Sequence, residues 1–538
     1  MTRARPFPAG LALTVAALLL IVFAVRAHAP LAMPAFNDES LHIRRSEIVW
    51  SFENPATSFT VGKLLGYYWL GAFGFARLDA LIGGRLVFAL LILPGAAATY
   101  RVGRSLFGRP VGLLALLLYA LAPYLIFYER LILADQIAAM FGMLALWLGI
   151  RLARRPTVIN GLLAGACVSL AVLAKLTAIP FALVPLLAVW MLGVRTAPPP
   201  AGVGARAWLA RRIPPRYWRP LLAAYGFNLI SGLPFMLFPL FREVSDEPVL
   251  VVGTDLFVAS GWDRVLVENV PRLWETLVAF FGLVAFSIAL GLIAWLVMRA
   301  RRPAIYLLLG ALLPWSLILP LSPDPSNRYW VPGIPPLLVL VAAGLWTLGA
   351  ALVRGKRSRA LPVALGVGGT LALWAGVIAL PFAVRAWTDP LALRLPEHDR
   401  WEYYQNFASG YGLYEATQAM PGLPASDASG RVPVVGLVGS CHQLRLYLPE
   451  DGIVDLSCPF FGWNGEYMDA VVQHITGRMH AETVVYLLVE PELRFTDLAL
   501  IPVNWDLVER FPRPFGGMVV ELYRVAPRDG SQPIAAAP

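Results

Sequence analysis

The sequence predicts a polytopic α-helical membrane protein that carries a small α/β domain at its C-terminus. Of the 538 residues, 58% are hydrophobic and only 14% are charged, whereas soluble domains carry about 25% charged residues. Apolar stretches of about 20 residues, the length that spans a bilayer core, recur as far as residue 385. From residue 386 onward, the pattern changes to short apolar runs. We therefore expect a membrane domain over 1–385 and a soluble domain over 386–538.

About eleven segments meet the length criterion for a transmembrane helix. They lie at 8–27, 82–101, 110–128, 132–151, 158–174, 177–194, 220–241, 274–298, 304–321, 329–352 and 361–385. The first is interpreted as a retained span, because no small-residue signal-peptide cleavage site stands out after it. A further run at 61–76 is short and aromatic, so we expect an interfacial helix there, within a first external loop over 28–81.

Positive charge alternates between successive loops and predicts the orientation of the spans. If the N-terminus is cytoplasmic and 61–76 does not cross, every second loop is basic and the loops between them carry the acids. An odd number of spans then places 386–538 on the extracytoplasmic side of the cell membrane. Because much of the net charge of +10 lies in these short basic loops, it indicates membrane orientation rather than nucleic-acid binding.

The C-terminal segment predicts strands around a helix. The stretches "VPVVGLVGS", "GIVDLS", "TVVYLLVE" and "MVVELYRV" are typical of short strands, and "MDAVVQHITGRM" is typical of a helix between them. The pattern "GLVGS" is too weak to indicate a nucleotide site. Cys441 and Cys458 could form a disulfide if this domain faces an oxidising compartment.

Two adjacent acids follow the first predicted span. In "MPAFNDESLHIRR", Asp38 and Glu39 open a helix-like segment on the external side. One interpretation is helix capping, since Asn37 or Asp38 suits an N-cap and acids are favoured in a first turn. The other is catalytic, because a carboxylate placed here could act as a general base. This segment alone leaves both interpretations open.

A second acidic element lies where one predicted span leaves the membrane and the next returns. The stretch "YERLILADQ" contains Glu129, Arg130 and Asp135, and an apolar run follows Asp135 directly. An ionised acid at the membrane interface is costly and by default functional. The alternative is a structural ion pair between Asp135 and Arg130. On one continuous helix their side chains would be about 140° apart, so this pair requires a turn between them.

Cations on the same predicted side complete a candidate site. Lys63 opens the interfacial run, Lys175 lies in "AKLTAIP" between two spans, and Arg328 begins "NRYWVPGIPP". Each could instead extend toward lipid headgroups, and for Lys175 alone this snorkelling is the favoured interpretation. Together with the acids, the cations suit a substrate with a phosphate at the interface and a hydroxyl to deprotonate. His42 and Tyr329 are further candidates for the substrate pocket.

The predicted location constrains the chemistry. Nucleotide sugars are not expected outside the cytoplasmic membrane, so an external transferase needs an activated donor delivered in the bilayer, such as a polyprenyl-phosphate sugar. Its phosphate is a good leaving group, whose developing charge cations can stabilise. The acceptor hydroxyl needs a general base within hydrogen-bond reach, usually a carboxylate. One aspartate with Lys and Arg side chains is therefore a sufficient minimal catalyst.

The order and sidedness of these motifs resemble the integral-membrane glycosyltransferases with the C-type fold. The resemblance is to family 39, which includes the protein O-mannosyltransferases and the lipid A aminoarabinose transferases. "FNDES" resembles the acidic pair of the family's first external loop, and "VGKLLGYYWLGAFG" resembles its Lys-Pro-Pro-Leu segment and interfacial helix. "YERLILADQ" and "NRYWVPGIPPL" resemble its second-loop arginine-to-aspartate element and its Arg-Tyr-x-x-Pro segment. The likeness covers 1–385 and is best in the first 180 residues.

The post-membrane stretch "DRWEYYQNFASGYGLYEA" allows two interpretations. It resembles a segment that follows the last span in bacterial members of the family. It is equally typical of an aromatic belt followed by a juxtamembrane helix.

The resemblance implies roles for individual acids. Asp38 matches the position implicated as catalytic base or acceptor-orienting residue, and Glu39 is its neighbour. Asp135 matches the aspartate of the second external loop. All three are therefore predicted catalytic residues.

The resemblance also implies a donor phosphate site. Lys63 matches the lysine that meets the phosphate, Arg328 matches the late arginine near it, and Arg130 is the third candidate. In this chain Leu64 and Leu65 stand where the family has Pro-Pro, so the geometry around Lys63 departs from the family pattern. The long luminal domain of the eukaryotic mannosyltransferases is missing. The small C-terminal α/β domain instead suggests a bacterial member with an unassigned acceptor.

We therefore expect an inverting glycosyltransferase that moves a sugar from a polyprenyl phosphate to an acceptor hydroxyl of a lipid, glycan or protein. Inversion follows from the family and from single displacement. No cofactor is expected to be required, although Asp38, Glu39 and Asp135 could bind a divalent ion.

Two other classes of protein remain open. A transporter or flippase of lipid-linked glycan precursors predicts ionisable residues near the bilayer midplane and often internal repeats. Here the conspicuous charges are predicted at the outer surface, and the sequence has no clear repeat. A scaffold with a membrane anchor is the other alternative, but about eleven spans exceed what an anchor needs.

Overall fold

The computed structural model describes residues 9–51, 79–194, 213–237, 264–322, 325–353, 368–449, 452–459, 467–493 and 498–528. The predicted interfacial helix at 61–76, with Lys63, lies outside the described residues. The chain divides into two compact units. The first comprises Met1–Pro30, Arg45–Leu78 and Ile82–Pro396, and the second comprises Leu31–Arg44, Asp79–Leu81 and Glu397–Pro538.

The α-helices are numbered along the chain. As far as Thr388 they are α1 Ala9–Ala27, α2 Asn37–Trp50, α3 Ala80–Leu91, α4 Leu93–Phe107, α5 Arg109–Leu121, α6 Pro123–Tyr128, α7 Ala134–Arg154, α8 Val158–Ala174, α9 Val184–Leu192, α10 Trp218–Leu237, α11 Val270–Phe281, α12 Leu283–Arg299, α13 Arg301–Leu321, α14 Ile334–Val353 and α15 Leu380–Thr388. Beyond it lie α16 Glu397–Arg400, α17 Leu413–Ala419, α18 Cys441–Tyr447 and α19 Met468–Ala481. Tighter 3₁₀ turns at Leu176–Leu183 and Asn327–Gly333 lead directly into α9 and α14.

The helices of the first unit are apolar enough to be membrane spans. By length and composition, six stretches of the described chain could each cross a membrane, and the bent pair α11–α12 would be a seventh. Arg109–Leu121, Val158–Ala174 and Leu176–Leu192 are shorter apolar helices. The polytopic helical architecture is thus confirmed, and the number of eleven spans stays a prediction.

The predicted span 274–298 is two helices rather than one. Helix α11 ends at Phe281 and α12 begins at Leu283, and the two axes meet at 111°. Gly282 between them has φ +81°, a conformation that glycine adopts without the steric cost of a side chain. A hydropathy pattern does not register this break, because the residues on both sides are equally apolar.

Helix α7 forms the centre of the first unit. Nearly all of its residues are buried, and α4, α8 and α9 pack against it. Close approach of the neighbouring helices depends on small residues, as is usual in membranes. A Cβ at Gly161 of α8 would lie 2.0 Å from the carbonyl oxygen of Pro220, and one at Gly165 would lie 2.4 Å from that of Ala224.

The second unit contains a five-stranded sheet. The strands are β1 Val432–Leu437, β2 Val454–Ser457, β3 Val485–Val489, β4 Val503–Pro512 and β5 Val519–Pro527, in the order β2-β1-β3-β5-β4. β1 is parallel to β2 and β3, whereas β5 runs antiparallel to β3 and β4. β1 and β3 are buried throughout, because apolar cores lie on both faces of the sheet. The predicted α/β character of this segment is confirmed.

Strand β4 was not predicted. It lies at the edge of the sheet and is mostly exposed, and its pairing with β5 is interrupted between Leu507 and Glu509. Such a bulge puts an extra residue into the strand and shifts the alternation of apolar and polar side chains. The simple period-2 signal is therefore lost in the sequence.

Candidate active site

A buried ion pair joins two of the predicted site residues in the first unit. Lys175 Nζ donates to Asp135 Oδ1 at 2.6 Å, and the two side chains are only 9% and 4% exposed. Asp135 lies in the first turn of α7 and Lys175 directly follows α8. A short connection joins α7 to α8, so the start of one helix lies beside the end of the other. Lys175 is therefore turned inward, and the favoured snorkelling interpretation was wrong.

An aromatic ring extends this pair to a second cation. Lys175 Nζ lies 3.7 Å from the centre of the Tyr329 ring, and the guanidinium carbon of Arg328 lies 5.6 Å from the same centre. Cations near the face of an aromatic ring are attracted by its negative π surface. Asp135, Lys175, Arg328 and Tyr329, hereafter the Tyr329 cluster, are thus brought together from three separate parts of the chain.

The 3₁₀ turn that carries Arg328 and Tyr329 is fixed by its neighbours. Trp315 Nε1 donates to the Trp330 carbonyl at 2.9 Å, and the Tyr124 hydroxyl donates to the Asn327 carbonyl. Asn327 is fully buried. Within the part of the chain that the structure describes, neither polar atom of its side-chain amide has a hydrogen-bond partner. A buried amide of this kind is costly unless it is satisfied.

Glu129 belongs to a different buried pair. Arg26, at the end of α1, donates through Nε to Glu129 Oε2 at 2.8 Å, and its terminal nitrogens donate to the carbonyls of Tyr119 and Ala120, both at 2.9 Å. The Tyr119 hydroxyl donates to the other oxygen of Glu129. The pair therefore ties α1 to the loop between α6 and α7.

Arg130 faces the chain that follows α1. Its Nη2 donates to the Ala29 carbonyl at 2.8 Å, and Arg85 Nη1 donates to the Pro30 carbonyl at 2.5 Å. Burial, with the nearby charges of Arg85 and Arg26, lowers the pKa of Arg130 to about 10. Ala29 has φ +47°, so this turn is strained. The alternative ion pair of Arg130 with Asp135 is replaced by these contacts and by the pair of Asp135 with Lys175.

The first acidic motif lies at the start of α2, in the second unit. Glu39 is fully buried, and its Oε2 accepts the backbone N–H of Phe36 at 3.0 Å, as a helix cap does. Asp38 beside it is partly exposed, and His42, one turn further on, is buried. The acids therefore lie in the first turn, as the capping interpretation predicts, but the helix begins at Asn37, and the carboxylate that caps it is that of Glu39 rather than of Asp38.

The predicted site residues fall into two groups. One group lies in the first unit and consists of Asp135, Lys175, Arg328 and Tyr329; Arg130 lies in the same unit but has separate contacts. The other group lies on one helix in the second unit and consists of Asp38, Glu39 and His42. Lys63 lies outside the described residues. Across the described ranges, no three His, Cys, Asp or Glu side chains are grouped as they would be to hold a metal ion.

Arg26 and Arg85 were not predicted as site residues from the sequence. Both lie in segments predicted as spans, where an arginine is rare and most often has a specific partner. That signal could have identified both residues. Their partners could not have been identified, because the carbonyls and the carboxylate that they meet lie far away in the sequence.

The chain thus combines apolar helices and a buried polar cluster in the first unit with a small sheet in the second. Residues 65–218 match the family model described as "Dolichyl-phosphate-mannose-protein mannosyltransferase". No curated protein matches the sequence.

Several solved structures share this architecture. ArnT from Cupriavidus metallidurans bound to undecaprenyl phosphate is 16% identical, with a TM-score of 0.58 over 96% of this chain and 98% of that one. Its apo state is similar at 15% identity and a TM-score of 0.53, over the same shares of the two chains. An oligosaccharyltransferase from Archaeoglobus fulgidus, tethered to an acceptor peptide, is 13% identical with a TM-score of 0.50, over 95% of this chain and 74% of that one. The resemblance found in the sequence is thus confirmed at the level of the fold.

Proposed function

We propose that the protein transfers a sugar from a polyprenyl-phosphate donor to an acceptor hydroxyl at the extracytoplasmic face of the cell membrane, with inversion. The observation that carries this proposal is the Tyr329 cluster. Two buried cations adjoin one aromatic ring there, at the start of an apolar helix. This is the combination that an anionic headgroup on an apolar tail requires.

Three side chains of this region suit the donor headgroup. Arg328 presents a planar guanidinium that can hold a phosphate through two parallel hydrogen bonds. Asn327, whose buried amide has no hydrogen-bond partner among the described residues, can donate to a phosphate or sugar oxygen. Lys175 adds positive charge close to both, while its ion pair with Asp135 fixes its position.

An apolar groove next to the cluster suits the lipid tail. The groove has a volume of about 350 Å³ and is lined by side chains of α11 to α14, among them Trp274, Leu277, Trp315 and Leu338. Trp315 also donates to the carbonyl of Trp330, which is adjacent to Tyr329. We propose that a tail in this groove has its phosphate at Arg328. The similarly folded ArnT is known bound to undecaprenyl phosphate.

The transfer itself needs a base and a stabilised leaving group. In our proposal the partly exposed Asp38 accepts the proton of the acceptor hydroxyl, whose oxygen forms a bond to the anomeric carbon. The bond from that carbon to the phosphate oxygen breaks on the opposite face, and polyprenyl phosphate leaves with its charge stabilised by Arg328 and Lys63. Glu39, which caps α2, orients Asp38. Because these cations stabilise the leaving group, we propose that no metal is required.

A disulfide in the second unit supports the proposed side of the membrane. Cys441 and Cys458 form a disulfide, and disulfides persist mainly in oxidising compartments. We therefore propose that 386–538 lies outside the cytoplasm and that the N-terminus lies inside. The acceptor is a lipid, glycan or protein that presents a hydroxyl on that side.

The first test is a transfer assay in proteoliposomes. Radiolabelled polyprenyl-phosphate hexoses and pentoses are offered with a membrane extract as the source of acceptor. We expect label to leave the lipid with the wild-type protein and to remain on it with Asp38→Asn. The matched control is Asp427→Asn, because this acid is exposed in a turn of the C-terminal domain and should not affect transfer.

The same assay also tests the transporter alternative. If label stays on its lipid but moves from one leaflet to the other, the protein is a flippase and the transferase proposal fails. Adding a chelator tests the metal proposal separately, since transfer should continue at an unchanged rate.

A further inference from the structure

In the second unit the strand order changes direction at the carboxyl ends of β1 and β3. β1 is followed in the chain by its parallel neighbour β2 on one side, whereas β3, on the other side of β1, is followed by β4 at the opposite edge of the sheet. In open α/β sheets, ligands bind outside such a switch point. Here Gly439 and Ser440 follow β1, and Glu490 follows β3. Glu490 accepts the Gly439 N–H at 2.7 Å and pairs with the buried Arg513, which fixes this edge.

Residues 35–40, hereafter the Asp38 segment, are hydrogen-bonded to residues near this edge of the sheet. Gln443, on α18 directly after Ser440, donates through Nε2 to the carbonyl of Ala35 at 2.7 Å and to that of Ala408 at 3.0 Å. The Tyr447 hydroxyl accepts the N–H of Ala35 at 2.6 Å. The Asn37 N–H donates to the Ala408 carbonyl at 2.9 Å.

These contacts lie on both sides of Asp38 in the sequence. Before it, Ala35 and Phe36 are buried, and the Phe36 ring packs on Tyr403 with centres 4.5 Å apart. After it, Ser40 is buried, and its Oγ lies 3.5 Å from that of Ser440. Asp38 between them is partly exposed. The segment is thus held by contacts on both sides of Asp38.

We propose that the C-terminal domain is a positioning element that holds the Asp38 segment in one conformation, with Gln443 as its principal positioning residue. The inference rests on the proposed function insofar as Asp38 is the general base. It assigns a role to a domain that the transfer chemistry alone does not require. A base displaced by about 1 Å can lose about a hundredfold in rate, so this anchoring should affect turnover directly.

The disulfide also helps to hold α18 in place. Cys441 opens α18, and its bond to Cys458 ties that helix to the chain just after β2. Gln443 lies two residues further along the same helix. Loss of the disulfide should therefore loosen the helix that holds Ala35, and so loosen the Asp38 segment.

The test uses the full-length protein with Gln443→Leu, which removes the donating amide at similar volume. Arg445→Gln is the matched control, because Arg445 is exposed on the same helix. Hydrogen–deuterium exchange of peptides covering 35–44 is measured together with transfer kinetics. We expect exchange about tenfold faster in Gln443→Leu, since two hydrogen bonds are lost. We also expect kcat to fall about tenfold to a hundredfold, with an unchanged KM for the donor lipid.

Two further variants cover the case in which Gln443→Leu does not fold. Tyr447→Phe removes one acceptor, and Cys441→Ser with Cys458→Ser removes the disulfide. Both should change exchange and kcat in the same direction as Gln443→Leu. Unchanged exchange over 35–44 in all these variants would overturn the anchoring, and faster exchange with an unchanged kcat would overturn the positioning role.

Failure of the proposed function gives a different result. If the wild-type protein transfers no sugar from any donor, Asp38 is not a transferase base. Exchange then decides the anchoring alone: faster exchange in Gln443→Leu supports it, and unchanged exchange overturns it.

Discussion

Lys175 and Asp135 form a buried ion pair, with Nζ 2.6 Å from Oδ1, between the end of α8 and the start of α7. Removing one partner of such a pair leaves an uncompensated charge in an apolar surrounding, which costs about 3–5 kcal/mol. Replacing both partners by neutral side chains restores much of that free energy. The pair can therefore serve stability, function or both, and the two contributions can be separated.

The first prediction concerns this separation. Asp135→Asn and Lys175→Met should each lower the Tm of the purified protein in detergent, and the double variant should recover most of the loss. If the proposed function is right, sugar transfer should remain low in the double variant, because the positive charge of Lys175 at the proposed phosphate site is still absent. A double variant that recovers both Tm and transfer would show that the pair is only structural.

Asp135 and Lys175 also show how much of this site the sequence specifies. Asp135 and Lys175 were each identified from their place next to an apolar run, but their pairing depends on how two helices pack, which periodicity does not contain. Helix α7 and strands β1 and β3 were predictable, because buried elements have continuous apolar patterns. Edge strand β4 and the bend at Gly282 were not, because a bulge and one glycine leave little hydrophobic signal.

The second prediction concerns the ring between the two cations. Tyr329→Phe keeps the aromatic face that Lys175 and Arg328 approach, so the KM for the donor should stay within about twofold. Tyr329→Leu removes this face. The attraction between the ring and the cations, worth about 1–2 kcal/mol, is then lost, which should raise that KM roughly fivefold to thirtyfold. Steady-state kinetics with a polyprenyl-phosphate sugar distinguish the two. Equal KM values for Phe and Leu would show that the ring face is not used.

The third prediction concerns the link between α1 and the loop between α6 and α7. Arg26→Leu leaves the carboxylate of Glu129 buried without its cation, so the unfolding free energy should fall by about 3–5 kcal/mol. Adding Glu129→Gln should recover part of this loss, since a neutral amide still accepts from Tyr119. Thermal unfolding in detergent measures both effects. An unchanged Tm in Arg26→Leu would contradict the structural role of the pair.

The fourth prediction concerns acid sensitivity of the C-terminal domain. His474 on α19 lies with Nε2 2.9 Å from the hydroxyl of Ser457, at the end of β2. Burial, followed by the positive charge of Arg478 one turn further along, lowers the pKa of this imidazole. Arg478 is itself held by Asp455 on β2 at 2.5 Å. The folded domain therefore favours the neutral ring.

The direction of the pH effect follows from this shift. In the unfolded chain His474 has the ordinary pKa of about 6.5, so on acidification the unfolded state binds its proton before the folded state does. The contribution of His474 to stability is thus present above about pH 6.5 and is lost as the pH falls toward the lower folded pKa. His474→Gln keeps a hydrogen-bonding group but does not titrate. Between pH 8 and pH 5.5, the Tm of the wild type should fall further than that of His474→Gln, and parallel declines would exclude His474 as the source.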